Sequence, residues 1–447
     1  MIPPVLPTPV RQCLDTLERS GYRCYAVGGC VRDAALGLIP HDFDLCTAAT
    51  PEQMRQVFSR CDLVLAGEKH GTVGVITPEG VVEITTFRTE GDYRDNRHPD
   101  WVRFVTDIEA DLSRRDFTVN AMAWSPVHGF ADPFGGEKDL SAGVLRAVGD
   151  PRQRFREDSL RILRGLRFSV RYDLLIEENT LQAMEELAPL MDHLARERVF
   201  DELCKLLPII SAEKLLQFGK ILSAVIPELA PTIGFDQHNP HHAFDLFTHI
   251  AHVTAAVPAE LPLRWAALLH DVGKISSFTV DQQGLGHFYG HAGIGADMAD
   301  RILHRLKAPT SLRERVVLLI AQHMTIPHPE RKALRRWLSR FGEEACKQLL
   351  SLQQADHCSK GVVCSDEAYF RQVASLLDEI LAENACLTLK DLAVKGTDLM
   401  ALGYQGPAIG KMLNLLLDMV LEEQIPNEKQ ALLKQVPPIV PSQEVTQ

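Results

Sequence analysis

The spacing of apolar residues changes character once along the chain, at Pro151, and that change sets the architecture. Before it, short β-type runs alternate with helical segments. Arg23–Val27, Leu63–Ala66, Val73–Ile76, Val81–Phe87 and Val102–Val105 read as strands, and Val31–Leu36 and Pro51–Phe58 as helices. After it, apolar residues recur at steps of three and four, as at Leu160, Leu163, Leu166 and Val170, and almost everything to the C-terminus reads as helical. The expected fold class is α+β: a module with a small mixed sheet, then an all-α remainder.

A chain of 447 residues exceeds one ordinary core, so two to four domains are expected. Pro227–Pro240, with Gly, Asn and three prolines, marks one boundary, and Lys360–Ser365 another. Val436–Gln447 carries three prolines and reads as a disordered tail. No run approaches the roughly 20 apolar residues of a membrane span, and the proline-rich start lacks a signal-peptide profile, so a cytoplasmic protein with no membrane contact is expected. Ten scattered cysteines without a C-x-x-C pair point to reduced core thiols.

A net charge of −12 argues against broad coating of nucleic acid, yet a local basic face suffices for specific contact. Arg152, Arg154, Arg156, Arg161, Arg164, Arg167 and Arg171 crowd into twenty residues, with only Glu157 and Asp158 between them. That imbalance predicts contact with RNA or nucleotide phosphate.

Two short segments of the first module carry chemistry. Tyr25-Ala-Val-Gly-Gly-Cys-Val-Arg-Asp33 ends a strand at Gly28-Gly29, where bare backbone can approach a phosphate and the next helix offers unpaired N–H groups. It is neither a Walker A loop nor G-x-G-x-x-G. Then His41-Asp-Phe-Asp-Leu45 sets Asp42 and Asp44 two apart, on one face of a strand. Such carboxylates repel unless a cation lies between them, and magnesium prefers oxygen ligands plus substrate phosphates. Two such ions activate an attacking hydroxyl and neutralise a leaving pyrophosphate.

GG-x-VRD followed by H-D-F-D-L resembles the signature of the class II tRNA nucleotidyltransferases and bacterial poly(A) polymerases, of the DNA polymerase β superfamily. Arg114-Arg-Asp-Phe-Thr-Val-Asn-Ala-Met122, Asp132-Pro-Phe-Gly-Gly136, Glu157-Asp-Ser-Leu-Arg-Ile-Leu-Arg164 and Arg196-Glu-Arg-Val-Phe-Asp-Glu-Leu203 resemble their later motifs, in order, over about 1–210. The resemblance implies magnesium on Asp42 and Asp44, triphosphate on Gly28, Gly29 and Arg32, and a nucleotide site shaped by Arg114, Arg115, Asp116 and Asn120, with Asp116 fixing an arginine. Glu83 is a candidate third acid, its competing reading a strand-surface glutamate near Arg88. The Thr89–Asp100 loop, with Arg94, Arg97 and His98, resembles the flexible loop of enzymes that add the terminal A.

Asp158 and Arg161 sit three apart on an expected helix and would project from one face. An aspartate accepts from an exocyclic amine and an arginine donates to a ring nitrogen, the pattern shared by cytosine and adenine and reversed in uracil and guanine. With Arg164 beside them, the pair would accept CTP and ATP and reject UTP and GTP. The competing reading is an intrahelical ion pair worth tenths of a kcal/mol.

Past the first boundary come His249, the doublet His270-Asp271 in Leu268-Leu-His-Asp-Val-Gly-Lys274, then His291, His323 and Asp356. Imidazoles and carboxylates together suit manganese, nickel, cobalt or iron. The order H…HD…H…H…D resembles the HD phosphohydrolase superfamily over about 240–360, which implies cleavage of phosphomonoesters or 2′,3′-cyclic phosphates. Val394–Lys411 resembles the helical tail of the nucleotidyltransferases, where Gly406, Gly410 and Lys411 would near tRNA phosphates, and a purely structural helix–turn–helix competes.

The combined expectation is a polymerase-β-like nucleotidyltransferase head over 1–148, an all-α neck with the nucleotide-selection motif over 149–230, an HD-type metal-binding body over 231–362 and a tRNA-binding tail over 363–435. Such a chain adds CCA to tRNA 3′ ends from CTP and ATP, with no obligate protein partner implied. The rivals are a poly(A) polymerase, a partial CC- or A-adding enzyme, and an HD metal phosphohydrolase with a regulatory head.

Overall fold

The computed structural model describes residues 2–40, 42–91, 102–240, 242–361 and 366–437. His41 and most of the 89–100 loop, with Arg94, Arg97 and His98, lie outside the described residues. The chain divides into two compact units: the first is Met1–Ala230 with Arg305–Ala308, and the second is Pro231–His304 with Pro309–Gln447.

In the first unit, α1 (Thr8–Arg19) precedes β1 (Cys24–Val27), α2 (Gly29–Ala35), β2 (Asp44–Thr47), α3 (Pro51–Val57), β3 (Leu63–Val64), β4 (Thr72–Thr77) and β5 (Gly80–Thr86). A ribbon of β6 (Arg88–Glu90) and β7 (Val102–Phe104) leads into α4 (Ile108–Ser113), then β8 (Ala123–Ser125), β9 (Gly129–Ala131) and α5 (Gly136–Ser141). Seven strands make one mixed sheet in the order β3-β4-β5-β2-β1-β8-β9, with only β2 and β5 parallel among its described pairs. Helix α1 was not legible in the proline-rich start. Pro7 is its N-cap and Pro9 falls in its first turn, where a missing N–H costs nothing, and Val10, Cys13, Leu14 and Leu17 are its buried stripe.

Neck helices α6 (Pro151–Glu157) and α7 (Leu160–Arg171) follow, and the helical remainder of the unit includes Glu178–Leu187, Arg196–Leu206 and Ala212–Leu222. Against the expectation of a continuous helix, the backbone breaks at Asp158, which is extended (φ −143°, ψ 101°) and accepts the Leu160 N–H on Oδ1. An aspartate prefers capping to a helix interior, so it ends one helix and starts the next.

Among its described residues the second unit is helical apart from a hairpin, Phe278–Val280 with Gly286–Phe288. Val436 is buried, and the Pro437 carbonyl accepts a 2.9 Å hydrogen bond from Tyr404. The remaining tail lies outside the described residues. Among the described residues eight cysteines are free and six of those buried, whereas Cys358 is disulfide-bonded, which the sequence did not foretell. No helix among the described residues is long and apolar enough to cross a membrane.

Candidate functional site

The register of the sheet builds the acidic wall. Val27 at the end of β1 pairs with Asp44 at the start of β2, so the strand that ends in Gly28-Gly29 delivers the turn beside the acids. Parallel pairing of Leu45 with Ile84 sets Glu83 next to Asp44. Burial raises the Asp44 carboxyl above its usual range, Arg115 draws it down, and Glu83 and Asp42 push it up again. Glu83 is exposed on β5, as the strand-surface reading has it, and its charge still acts on Asp44. Asp42, Asp44 and Glu83 line one cavity, and carboxylates gathered there suit a hard divalent ion such as magnesium.

Gly28 adopts φ +69°, and a Cβ there would lie 2.9 Å from Arg115 Nη1, so glycine alone lets the turn and that arginine meet. Helix α2 has only seven residues, and side chains, more than its dipole, supply positive charge. One cavity of about 440 Å³ is lined by Gly28, Gly29, Arg32, Asp42, Asp44, Arg115, Asp116, Asn120, Asp158, Arg161 and Arg164. The residues given magnesium, triphosphate or base-selection roles above are on its wall, whereas Arg152, Arg154 and Arg156 of the basic cluster are not. A second cavity of about 560 Å³ shares Asp42 and Asp44 and adds Glu83, Val81, Pro7 and Pro9.

The arginine cluster is less free than its sequence suggests, because its acids come from far along the chain. Arg152 pairs with Glu186, Arg164 with Asp116, and Arg167 with Glu202 at 2.6 Å. Arg154 and Arg161 share Glu157. Elsewhere on the cavity wall, Arg32 pairs with Asp33, Arg114 and Arg115 with the buried Asp111, and Arg198 with Asp158. Asp111, also bonded by the Arg88 N–H, anchors two cavity arginines at once, and the sequence reading missed it. So were Asp33, Phe168, Tyr172 and Arg198 missed as cavity residues, although Arg198 sits inside the quoted fifth motif. Asp132 caps α5, accepting from the Gly136 and Glu137 N–H groups, so the third motif builds structure beside the site.

The competing Asp158–Arg161 ion pair is not formed. Arg161 donates to Glu157 (2.8 Å) and to the carbonyls of Arg154 and Arg114, while Asp158 accepts from Arg198 at 2.9 Å. These bonds engage both Nη groups of Arg161 but not its Nε–H, and leave lone pairs on Asp158.

Asp116 accepts from Phe117 N–H and Asn120 on Oδ1 and from Arg164 Nε and Nη2 on Oδ2. Burial works to raise this carboxyl, but Arg164 and these hydrogen bonds overcome it and hold it at about 2. A depressed folded-state value means stability present above the unfolded value near 4 and lost as pH falls through about 2, worth roughly 2 kcal/mol. Asp116→Asn should therefore lower the unfolding midpoint at pH 7, with the gap to wild type closing between about pH 4 and 2. A pH-independent gap in thermal unfolding would refute the electrostatic account.

The second unit holds a separate buried cluster. His249, His270, Asp271, His291, His323 and Asp356 are all buried. Each histidine directs Nδ1 at a backbone carbonyl: Ser359 for His249, Ala267 for His270, Phe288 for His291 and Ile320 for His323. The carbonyls fix the tautomer and turn every Nε2 inward as an acceptor. Asp271 Oδ2 lies 3.2 Å from His270 Nε2 and 3.5 Å from His249 Nε2, and Oδ1 lies 3.5 Å from His291 Nε2. His291 and His323 bring their Nε2 atoms to 3.3 Å, and Asp356 reaches His249 at 3.0 Å. His249 and His270 Nε2 have no hydrogen-bond partner, whereas Asp271 Oδ2 is ion-paired with Lys274 Nζ at 2.7 Å. Burial pushes His323 down to about 4, so its imidazole stays neutral. Orphaned acceptors converging in two triads that share Asp271 fit divalent transition-metal ions.

Three family models match: the poly(A) polymerase head domain over residues 24–146, the probable RNA- and SrmB-binding site of polymerase A over 173–232, and a putative tRNA nucleotidyltransferase domain 2 over 277–436. The CCA-adding enzyme of Streptococcus suis is 33% identical over 437 residues, covering 96% of each chain. That of Enterococcus faecalis is 46% identical over 191 residues, 43% of this chain and 47% of that one. The crystal structure of the Bacillus stearothermophilus CCA-adding enzyme in complex with CTP matches over 96% of this chain and 98% of that one, at 26% identity and a TM-score of 0.70. With a relative at this identity over nearly its full length, and the acid pair, glycine turn and arginine wall in one cavity, the chain belongs to the family of CCA-adding enzymes.

Proposed function

We propose that this protein adds CCA to the 3′ end of tRNA from CTP and ATP, releasing pyrophosphate at each step. The observation that carries the reading is the single cavity that joins the Asp42–Asp44 wall, the arginines and the Asp158–Arg161 pair. Magnesium held by Asp42 and Asp44, with Glu83 beside them, would supply activation of the attacking hydroxyl and neutralisation of the leaving group. The chain's own residues position the reactants. Gly28 and Gly29 let the triphosphate close on the backbone, and Arg32, Arg115 and Arg164 face it. Asn120 holds Arg32, and Asp116 holds Arg164 in line. Asp158 accepts from the exocyclic amine of cytosine or adenine while Arg161 donates to the ring nitrogen. The cavity with Glu83 and Val81 admits the RNA 3′ end, whose hydroxyl attacks the α-phosphorus as pyrophosphate departs. Labelled CTP and ATP offered with tRNA test this: no transfer to RNA would end the reading.

The division into head, neck, body and tail at about 148, 230 and 362 is part of the same proposal, supported at 230 by the break between compact units. So is action in the cytoplasm, to which the absence of a spanning helix among the described residues is no obstacle.

The buried cluster favours a second activity. We propose that His249, His270, Asp271, His291, His323 and Asp356 hold manganese, nickel, cobalt or iron and that the body hydrolyses phosphomonoesters or 2′,3′-cyclic phosphates. Purified protein should carry one or two transition-metal ions per chain by elemental analysis, as two triads predict. His270→Ala with Asp271→Ala should remove them and cyclic-phosphate hydrolysis while CCA addition stays within about twofold, since independent sites do not couple. Full metal content in that variant would sink the assignment.

A further inference from the structure

We infer that Arg171 binds the terminal phosphates of the incoming nucleoside triphosphate, an inference that rests on the nucleotidyltransferase reading and assigns one more residue to that site. Arg171 ends α7, is exposed, and lines the cavity. Each of the other cavity arginines faces a carboxylate of the protein, as described above. Arg171 has no such partner among the described residues, so it is the cavity cation whose charge the fold leaves uncompensated.

Its surroundings hold it near the triphosphate ligands. The Arg171 guanidinium carbon lies 5.4 Å from the centroid of the Tyr172 ring, and that of Arg32 lies 4.1 Å from the same centroid. The Tyr172 hydroxyl also bonds Arg32, so one ring gathers both cations against one wall. Arg32 is already engaged by Asp33 and Asn120, whereas Arg171 brings its full charge to a ligand.

Helix geometry separates the two ends of the substrate. Arg161, Arg164, Phe168 and Arg171 recur at steps of three and four and so follow one stripe of α7. Ten residues at the α-helical rise set Arg171 about 15 Å along the axis from Arg161. That is the length scale of an extended nucleoside triphosphate. With the base at Asp158 and Arg161 and the α-phosphorus at the acid pair, the β- and γ-phosphates run on toward Arg171. A basic residue in the last turn also complements the helix dipole, by only tenths of a kcal/mol on an exposed face, and that effect would be indifferent to substrate.

The test is steady-state kinetics of Arg171→Ala and Arg171→Lys in the full chain, with pyrophosphate as a product inhibitor. Loss of one charge-assisted contact should raise KM about tenfold for CTP and ATP alike in Arg171→Ala. Inhibition by pyrophosphate should weaken by a similar factor, Arg171→Lys should recover part of both, and KM for tRNA should not move. Unchanged nucleotide KM and pyrophosphate inhibition in Arg171→Ala would overturn the inference. So would a rise in the KM for tRNA alone, which would place the residue on RNA phosphate. A wild-type protein without transfer activity would instead overturn the reading beneath it.

Discussion

Asp44→Ala is expected to lower kcat/KM for nucleotide addition by about a thousandfold or more, close to 4 kcal/mol of transition-state stabilisation. Asp44 starts β2 between Asp42 and Glu83, and without it the wall that would hold magnesium keeps one carboxylate fewer beside the glycine turn. The loss should fall on kcat, because the triphosphate keeps Arg32, Arg115 and the glycine turn. Removing a carboxyl that burial and its acidic neighbours hold above its usual range should leave stability unharmed or improved, so a folded, inactive variant is the expected product. Quantifying CTP incorporation and thermal unfolding on the same preparation checks both halves. Activity within tenfold of wild type would remove Asp44 from the chemistry.

The second large effect concerns which base is added. Asp158→Ala should reduce the preference for CTP over UTP by about 10- to 100-fold, the size expected when a polar recognition contact of 1–3 kcal/mol is removed. Arg198 then loses its partner, so some stability is lost as well. The ratio of UTP to CTP incorporation, measured in competition, is insensitive to the folded fraction and isolates recognition. An unchanged ratio would move base selection away from Asp158.

The acidic wall and glycine turn were legible in the sequence because their residues are local. Gly28, Gly29, Asp42 and Asp44 lie within one strand–turn–helix–strand unit, and the register of β1 with β2 follows from it directly. The buried histidine cluster was legible for a different reason: adjacent His270 and Asp271 reach one centre from a single turn, whereas the distant His249, His291, His323 and Asp356 depended on the fold. What the sequence could not give was pairing across the chain. The arginines at 152–171 look like an unbalanced basic stripe until Asp116, Glu186 and Glu202 close on them from other elements. The helix break at Asp158 was hidden because Leu160, Leu163 and Leu166 keep helical spacing on its far side, while capping is a property of one side chain and its backbone. Asp111 went unnoticed since a buried acid between apolar neighbours looks like any helix residue until its arginines fold back on it.

The most direct measurement is incorporation onto three tRNA transcripts, one lacking CCA, one ending in CC and one complete, with CTP and ATP offered separately and together in magnesium. The account predicts C addition to the first transcript from CTP alone, A addition to the second from ATP alone, a full CCA on the first from both, and no extension of the third. A long A tail, a halt after CC with both nucleotides present, or no incorporation at all would contradict it.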